Sequence, residues 1–458
     1  MTDLVLRGTF DAAHMRRYAH VPFEVPPGVR SVHVAYDYSE RIPSDPQLTG
    51  GNTLDIGIFD PRGIDAASPG FRGWSGSHKL EFTIAENWAT PPYLAGTIQA
   101  GTWHVLLGPY KVGPRGCEYE VAIGFSQDPG QAELRPLQID TKPARLKRAA
   151  EKGWLRGDLH CHTRYSDGDS WPVDMLADAV GRGLDFLGVT DHNQTAHQRE
   201  YARITGEQLP ILLPGIEVTT YAGHWNAWGT DRWWEFREPT EAATSLAMQA
   251  AAASGALVSV NHPKPFGPPW EYPSAVGYHA VEVWNGDWQR QNDVSLRFWE
   301  QQLRAGRRIV AVGGSDTHNL KAVDADARHG RHLGRPTTWV HVADDPSADD
   351  KPSARDVLAA LRAGRSFISK DVDGPQLDFA RGAEGFRLRV VDGRQAAVML
   401  ISERGIETTV NVPTSDWSEV FRVPHAATYV RAQLVDQRGE MLALSNAIFV
   451  TDPVGAGC

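Results

Sequence analysis

Residues 157–169 read Gly-Asp-Leu-His-Cys-His-Thr-Arg-Tyr-Ser-Asp-Gly-Asp and hold two histidines and three aspartates within thirteen positions. Side chains two positions apart on a β-strand point to the same face, so His160 and His162 share a face and Cys161 points to the other. Paired imidazoles can hold a transition-metal ion. A lone His-x-His is a weak signal, however, because most such pairs are ordinary surface or core histidines. The interpretation therefore depends on what neighbouring strands carry.

Short apolar runs alternate with helical segments from Trp154 to about Ser369, which is the pattern of a parallel α/β sheet or barrel. In such folds the carboxyl ends of the strands meet at one edge, where ligands bind. Five of these runs end in His, Asp or Glu, so we expect one site for one or two metal ions. The five ends are His160-Cys161-His162, Asp191-His192-Asn193, Ile216-Glu217 with His224 seven residues on, Asn261-His262-Pro263, and Ser315-Asp316-Thr317-His318.

The order of these motifs is that of a known family. HCH (160–162), YSDG (165–168), TDHN (190–193), GIE (215–217) with GHWN (223–226), NHP (261–263) and SDTH (315–318) resemble the polymerase-and-histidinol-phosphatase (PHP) family, over about residues 154–370. The flanking β regions and the segment LAALRAGRSFIS (358–369) resemble the CehA/McbA-like subgroup of PHP metallohydrolases. The resemblance implies a distorted seven-stranded β/α barrel that holds two or three divalent metal ions, Mn, Zn or Fe.

The resemblance also implies which residues bind the ions. The first ion would be held by His160, His162, Glu217 and Asp316, the second by Asp167, His192 and His318, and a third by Glu217, His224 and His262. Catalytic roles are implied for Asp316, His318 and Glu217, and for Asp191, which we expect to orient a ligand. Where some PHP proteins have a histidine after the first motif this chain has Asp167, and an anionic ligand favours a harder ion such as Mn²⁺.

The chain is predicted to have three domains. Residues 1–145 are predicted to form a β-sandwich or jelly roll, because short alternating runs are separated by Gly, Pro and Asp clusters. Residues 146–372 would form the PHP metallohydrolase barrel, preceded by a basic helical linker at 141–153, and residues 373–458 a small C-terminal β-domain. The fold class is therefore α/β, a distorted seven-stranded β/α barrel flanked by two β-domains.

The implied activity is hydrolysis of a phosphate ester, either a monoester or a diester, by a hydroxide that bridges two metal ions. No side-chain nucleophile is indicated, because the chain has neither a G-x-S-x-G elbow nor a P-loop. We expect Lys264 and Arg335 to bind the anionic group of the substrate. The same centre could instead attack a carbonyl, as in a carboxylic or carbamate ester hydrolase. The non-enzymatic alternative is a metal-stabilised scaffold whose β-domains bind carbohydrate or protein.

Composition limits the partners and the compartment. The formal net charge of −10 argues against a broad nucleic-acid-binding or membrane-binding surface. Three cysteines are too few, and odd in number, for a disulfide framework. The first residues show no apolar run typical of a signal peptide, and no segment approaches the roughly 20 apolar residues of a membrane span. We therefore expect a cytoplasmic enzyme that acts on a small-molecule phosphate ester, with its oligomeric state left open.

Overall fold

A computed structural model describes residues 3–66, 68–132, 136–143, 152–321, 332–342, 352–423 and 428–452. The described chain mixes helices with a larger share of β-strands, which confirms the α/β class. The predicted boundary between residues 145 and 146, and most of the predicted helical linker, lie outside the described residues. The division into three domains stays a prediction.

The N-terminal region forms two four-stranded antiparallel sheets, with strand orders β1-β8-β3-β6 and β2-β7-β4-β5. Their facing sides enclose one apolar core that includes Leu54, Ile56 and Ile58 of β4. Since strand residues alternate between faces, Asp55 and Phe59 lie on the outer face of the second sheet. The strands are β1 (Leu4–Phe10), β2 (Ala19–Val25), β3 (Ser31–Tyr38), β4 (Thr53–Phe59), β5 (Phe71–Gly76), β6 (Glu81–Ala85), β7 (Gly101–Lys111), β8 (Cys117–Ser126) and the short β9 (Leu137–Gln138).

The middle region alternates strands and helices. Its strands are largely buried along their whole length, as expected for strands covered on both faces. Its strands are β10 (Trp154–Cys161), β11 (Phe186–Val189), β12 (Ile204–Thr205), β13 (Ile211–Thr220), β14 (Gly223–Trp228), β15 (Leu257–Val260), β16 (Ala280–Asn285), β17 (Val310–Gly314), β18 (Thr337–His341) and β19 (Ser366–Ser369). Its helices are α1 (Pro172–Gly181), α2 (Gln198–Tyr201), α3 (Glu241–Ala253), α4 (Asn292–Arg304) and α5 (Ala354–Arg362).

The strands of the middle region pair in the order β17-β16-β15-β14-β13-β11-β10. All neighbours in this series are parallel except β14, which runs antiparallel to β13 and β15. The two ends of the series meet just beyond β17, where the amide of Asp316 donates to His160 O at 2.8 Å and that of His162 donates to Thr317 O at 2.9 Å. The first and last metal motifs are therefore held together by backbone hydrogen bonds.

The C-terminal strands extend the same sheet. From β10 the order continues β18-β19-β26-β25-β22-β23, so β19 pairs with β26 across the predicted boundary at residue 372. A three-stranded sheet, β20-β21-β24, packs on this extension through a shared apolar core. The strands are β20 (Gln376–Arg381), β21 (Phe386–Val391), β22 (Ala397–Ser402), β23 (Gly405–Asn411), β24 (Asp416–Phe421), β25 (Tyr429–Val435), β26 (Met441–Ser445) and β27 (Ile448–Phe449).

The outer face of the N-terminal sheet β2-β7-β4-β5 packs against the middle region. Phe59 and Leu106 of this face belong to the same apolar cluster as Trp225 of β14. Tyr221, at the tip of the β13–β14 hairpin, stacks between Tyr18 and Tyr110, with ring centroids 5.0 and 5.1 Å away. The hairpin that carries two predicted metal ligands is thus anchored in the N-terminal sheet.

Gly108 makes this anchor possible, and we predict that Gly108→Ala lowers the thermal unfolding midpoint. An added Cβ would lie 2.1 Å from Tyr221 Oη and 2.4 Å from Tyr18 Cε1, in a stack that has little room to move. Overpacking of this kind costs about 1–3 kcal/mol. The control is Gly181→Ala at the end of α1, where the nearest atom would be 3.4 Å away. Equal midpoints for the two variants would contradict the prediction.

Candidate metal centre

The carboxylate of Glu217 lies at the centre of the predicted ligands. It is 1% exposed, and it projects from β13 toward residues of four other strand ends. Its Oε1 lies 3.4 Å from His160 Nε2, 3.2 Å from His224 Nδ1 and 3.3 Å from His262 Nε2, and its Oε2 lies 3.5 Å from His162 Nε2 and 2.9 Å from His192 Nδ1. One carboxylate is therefore within contact distance of five imidazoles.

Two aspartates complete the cluster. Asp316 Oδ1 lies 3.1 Å from His162 Nε2 and 3.6 Å from His160 Nε2. Asp167, in the turn after β10, has its Oδ1 3.4 Å from His192 Nε2 and 3.2 Å from His318 Nε2. The structure thus brings together all nine residues that were predicted as metal ligands.

The grouping differs in part from the one that the resemblance implies. Three sets have ligand atoms within 4.8 Å of one another: His162, Asp167, His192 and His318; His160, His162 and Glu217; and His192, Glu217 and His224. His162 therefore joins the set around Asp167, and His192 takes the place implied for His262 beside Glu217 and His224. The assignment of each residue to an ion stays a prediction.

The cluster fits divalent metal ions. Ligand atoms about 2.1 Å from an ion, at octahedral to tetrahedral angles, lie roughly 3.0–3.4 Å apart, which matches most of the contacts above. The Nε2 atoms of His160 and His162 are buried and have no hydrogen-bond partner among the described residues. Buried polar atoms rarely stay unsatisfied, and a cation is the partner that suits an imidazole lone pair.

The backbone is strained at two of the strand ends. Asp316 has φ of 53° and His262 has φ of 29°, positive values that are uncommon outside glycine and that Asn, Asp and His adopt more often than other residues. Such conformations cost about 1–3 kcal/mol each and persist only where the surroundings impose them. At Asp316 the surroundings include the amide hydrogen bond to His160 O. Such backbone conformations are typical of functional sites, and they support a functional role for these two strand ends.

Three neighbouring side chains orient the cluster and were given no role from the sequence, although Asn261 belongs to the motif NHP. Glu282 Oε1 accepts a hydrogen bond from His160 Nδ1 at 2.9 Å, which leaves Nε2 to face Glu217. Thr219 Oγ1 lies 2.6 Å from His192 Nδ1, and Asn261 Nδ2 donates to Glu217 Oε1 at 2.9 Å. The available signal for Glu282 was a single carboxylate in an otherwise uncharged run, Ala280–Asn285, every residue of which is buried.

Two buried aspartates hold the loops around the ligands. Asp158, also missed, accepts amide hydrogen bonds from His160, Ser315 and Gly334. Asp191 accepts hydrogen bonds from the Thr163 amide, Thr163 Oγ1 and Ser166 Oγ, and Ser166 Oγ lies 3.5 Å from His162 Nδ1. Burial would raise the pKa of Asp191, but its hydrogen bonds and the nearby His197 lower it to about 2. Through Ser166, Asp191 is positioned to orient His162. Its predicted catalytic role stays a prediction.

The charges of the cluster depend on one another. Burial alone would raise the pKa of Glu217, but neighbouring imidazoles lower it well below its ordinary value, and the same holds for Asp167 and Asp316. Burial, with His318 and His192 beside it, lowers the pKa of His162 to about 4. His162 is therefore neutral near pH 7, as a metal ligand must be.

The two predicted anion contacts lie elsewhere. Lys264 is 2% exposed, and its ammonium donates to Asn285 O at 3.1 Å and Asn292 Oδ1 at 2.8 Å. The guanidinium of Arg335 lies 3.1 Å from Asp287 Oδ1. Neither residue is among the described residues that line the cavity beside the metal ligands. Lys264 braces the loop after β16, and a substrate contact for either residue stays a prediction.

A cavity of about 940 Å³ opens beside the cluster. Asp167, His192 and His318 line it, together with Glu217 and Asp316 on the side of the middle region. The opposite wall comes from the N-terminal sheets and their loops, including Asp55, Trp74 and Tyr110. Clefts of about 300–1,000 Å³ are typical of small-molecule sites. The candidate site is therefore built from two regions of the chain.

Two curated proteins are similar to short stretches of the chain. A 5'-3' exoribonuclease of Haemophilus influenzae is 36% identical over 64 residues, which are 14% of this chain and 23% of that protein. A phosphoribosyl 1,2-cyclic phosphate 1,2-diphosphodiesterase of Eggerthella lenta is 40% identical over 65 residues, 14% of this chain and 24% of that protein. The chain thus matches about a quarter of the length of each relative.

Among solved structures, a two-domain protein of Bacteroides vulgatus is similar to the chain, and it is described as containing a predicted PHP-like metal-dependent phosphoesterase. The two share 17% identity, with a TM-score of 0.38, over 69% of this chain and 100% of that one. A likeness at this level assigns no activity to the chain. No protein-family model matches the sequence. No helix in the described part of the chain is long and apolar enough to cross a membrane.

We predict that Glu282→Gln weakens metal binding while the fold is kept. Loss of the carboxylate removes the charged partner that orients His160, and loss of such a partner typically lowers metal affinity about 10- to 100-fold. Calorimetric titration with Zn²⁺ or Mn²⁺ measures the effect. The control is Glu81→Gln, the same change at an exposed position of β6. Equal dissociation constants for the two variants would show that Glu282 has no part in the site.

Metal binding should release protons near neutral pH. Burial lowers the pKa of His160 and His192, but neighbouring carboxylates outweigh burial and raise both pKa values well above the ordinary value. Both imidazoles are therefore protonated below their raised pKa and must lose a proton to bind an ion, so affinity should increase from pH 6 to pH 8.

Titrations in two buffers of different ionisation enthalpy would count the protons, and we expect about one to two per protein at pH 7. His162, already neutral, should contribute none. The control is His33→Gln, on the exposed side of β3, which should release the same number as the unchanged protein. Binding without proton release, or with equal affinity at pH 6 and pH 8, would contradict the prediction.

Proposed function

We propose that the chain is a metal-dependent hydrolase of the PHP type that cleaves phosphate esters. The observation that supports this most is the convergence of eight histidine and aspartate side chains around a ninth residue, the buried carboxylate Glu217. All nine residues that the resemblance implies as ligands lie in this cluster, and this supports an enzyme over a scaffold that binds a metal for stability alone.

We also propose the finer features of the fold that the resemblance implies. Seven strands, β10, β11, β13, β14, β15, β16 and β17, would form a distorted barrel, flanked by the two β-domains of the CehA/McbA-like subgroup. The backbone hydrogen bonds between the His160 and Asp316 ends of the series support closure. Two or three ions of Mn, Zn or Fe would be bound, and a cytoplasmic location is supported by two free, buried cysteines among the described residues.

The predicted metal ligands differ in exposure, and we assign them different roles on that basis. The side chains of His160, His162 and Glu217 are at most 1% exposed, so they would bind the ions on the side that faces the protein interior. The side chains of Asp167 and His318 are 41% and 17% exposed and line the cavity, so the substrate would meet the centre on their side. Bound divalent ions would supply Lewis acidity, which activates water for attack and neutralises charge on phosphate oxygens.

Charge favours a phosphate ester over a neutral ester. The centre holds three carboxylates, Glu217, Asp167 and Asp316, and the lowered pKa values keep them anionic near neutral pH. With the attacking hydroxide bound, two divalent ions would balance the negative charge and three ions would exceed it by two. A net positive centre favours the anionic phosphoryl group, whose charge is the main demand of phosphoryl transfer. A carboxylic or carbamate ester gains less from such a centre.

The deciding experiment compares three substrates. Protein stripped by a chelator and reloaded with Mn²⁺ or Zn²⁺ is assayed on a phosphomonoester, a phosphodiester and an aryl carboxylic ester. We expect metal-restored turnover of a phosphate ester, and a loss in Asp316→Asn larger than the roughly 10- to 100-fold typical of an outer partner. The control is Asp37→Asn, whose side chain is 72% exposed in the N-terminal region.

Three other outcomes would each contradict part of the proposal. Turnover of the carboxylic ester alone would keep the metal centre and end the phosphate assignment. Full turnover by Asp316→Asn would place the chemistry elsewhere. No turnover of any substrate, with metal-dependent stability kept, would favour the scaffold.

A further inference from the structure

Asp55 is a carboxyl group in an unexpected place. It lies on β4 of the N-terminal region, between Leu54 and Ile56, which both point into the core between the two sheets. Asp55 therefore points outward, to the face that packs against the middle region. The residue is 6% exposed and lines the same cavity as the predicted metal ligands Asp167 and His318.

The surroundings of Asp55 are aromatic. Its Oδ2 accepts a hydrogen bond from Tyr221 Oη at 2.8 Å, and Tyr221 stacks between Tyr18 and Tyr110. Tyr221 Oη also lies 3.0 Å from Gly108 O, so a single phenolic proton serves two acceptors. The carboxyl group therefore keeps hydrogen-bonding capacity beyond what Tyr221 supplies, and it belongs to a residue that lines the cavity.

Packing alone does not explain a carboxyl group here. Burial raises the pKa of Asp55 to about 7, which shows that its anion is poorly compensated. Burying a polar group without full hydrogen bonding costs free energy, and an apolar residue would fill the same space without that cost. Buried titratable groups with shifted pKa values, when they lie in a cleft, are typical of functional sites.

The rest of this wall limits what the cavity can hold. Its apolar residues include Met15, Leu48 and Trp74. The cationic residues that line it are engaged in the described structure, since Arg16 lies 3.0 Å from Glu271 Oε2 and Lys111 donates to Pro43 O at 3.0 Å. An apolar group thus fits the wall, and Asp55 offers a buried acceptor within it.

We propose that Asp55 is a substrate-contacting residue that selects phosphate esters whose alcohol part is bulky, apolar and equipped with a hydrogen-bond donor. This inference rests on the proposed function, because it places the phosphoryl group at the metal ligands and the alcohol part against the N-terminal wall. The donor is a hydroxyl or an ammonium group that pairs with the carboxyl group of Asp55. The N-terminal sheets then form half of the substrate site.

Binding of three phosphonates tests the inference without turnover. They are 2-phenylethyl phosphonate, its 4-hydroxy derivative and its 4-ammoniomethyl derivative, titrated calorimetrically into Mn²⁺-loaded protein. We expect at least one donor-bearing compound to bind about 10-fold more tightly than the parent, the gain typical of a hydrogen bond to a charged group. Asp55→Leu should abolish this preference and leave the affinity for the parent compound within about 2-fold. The better of the two derivatives identifies the donor.

Three controls separate contact from structure. Asp37→Asn, on the other sheet, should keep the preference. Tyr221→Phe removes the phenolic hydrogen bond but keeps the ring, and it should keep the preference if Asp55 contacts the ligand directly. Thermal midpoints and metal content show whether each variant folds, and Asp55→Asn, which retains an acceptor for Tyr221, replaces Asp55→Leu if the latter unfolds.

The outcomes distinguish this inference from the proposed function. Equal affinity of unchanged protein for all three phosphonates, or an equal loss for all three in the Asp55 variants, overturns the role of Asp55. The same loss in Tyr221→Phe as in Asp55→Leu shows that Asp55 acts only through the hairpin, which also overturns it. A donor preference that depends on Asp55, in a protein that hydrolyses no phosphate ester, supports the binding site and refutes the hydrolase.

Discussion

The arrangement of the site depends on one buried carboxylate, that of Glu217. An uncompensated carboxylate in a protein interior costs several kcal/mol, so a side chain that is 1% exposed must be surrounded by positive or hydrogen-bonding partners. The imidazoles of His160 and His192, whose pKa values are raised, and the amide of Asn261 meet this demand. Because these partners come from separate strands, their contacts with Glu217 determine where the ends of those strands lie relative to one another.

The same constraint explains the supporting contacts on either side. Glu217 and His224 occupy facing strands of one hairpin, so the position of the hairpin sets the position of both. Its tip, Tyr221, is held by aromatic stacking in the N-terminal sheet. On the far side, Glu282 fixes the ring of His160. The N-terminal region therefore contributes to the geometry of the centre as well as to its cavity.

The residues of the cluster could be singled out because most of them lie at the end of a short apolar run, where the two-residue period of a strand and the common edge of a parallel sheet apply. Glu282 and Asp55 could not, since each lies inside a strand and its partner is 122 or 166 positions away in the chain. Sequence patterns predicted strands in the C-terminal region, but not that β26 pairs with β19 of the middle region. The alternation of apolar and polar residues predicts a β-strand, but it does not predict which strand it pairs with.

The positions of the basic residues carry a consequence for substrate binding. Lys264 holds Asn285 and Asn292 in place, and Arg16 and Lys111 are engaged at the rim. Positive charge for a phosphoryl group would then come from bound ions, together with Lys79, whose ammonium interacts electrostatically with Asp167. Affinity for the phosphoryl group and its activation would depend on the same ions, whereas affinity for the alcohol part would depend on the N-terminal wall. The metal centre would then set the chemistry and the N-terminal wall the substrate, while changes in that wall would also act on the centre through the hairpin tip at Tyr221.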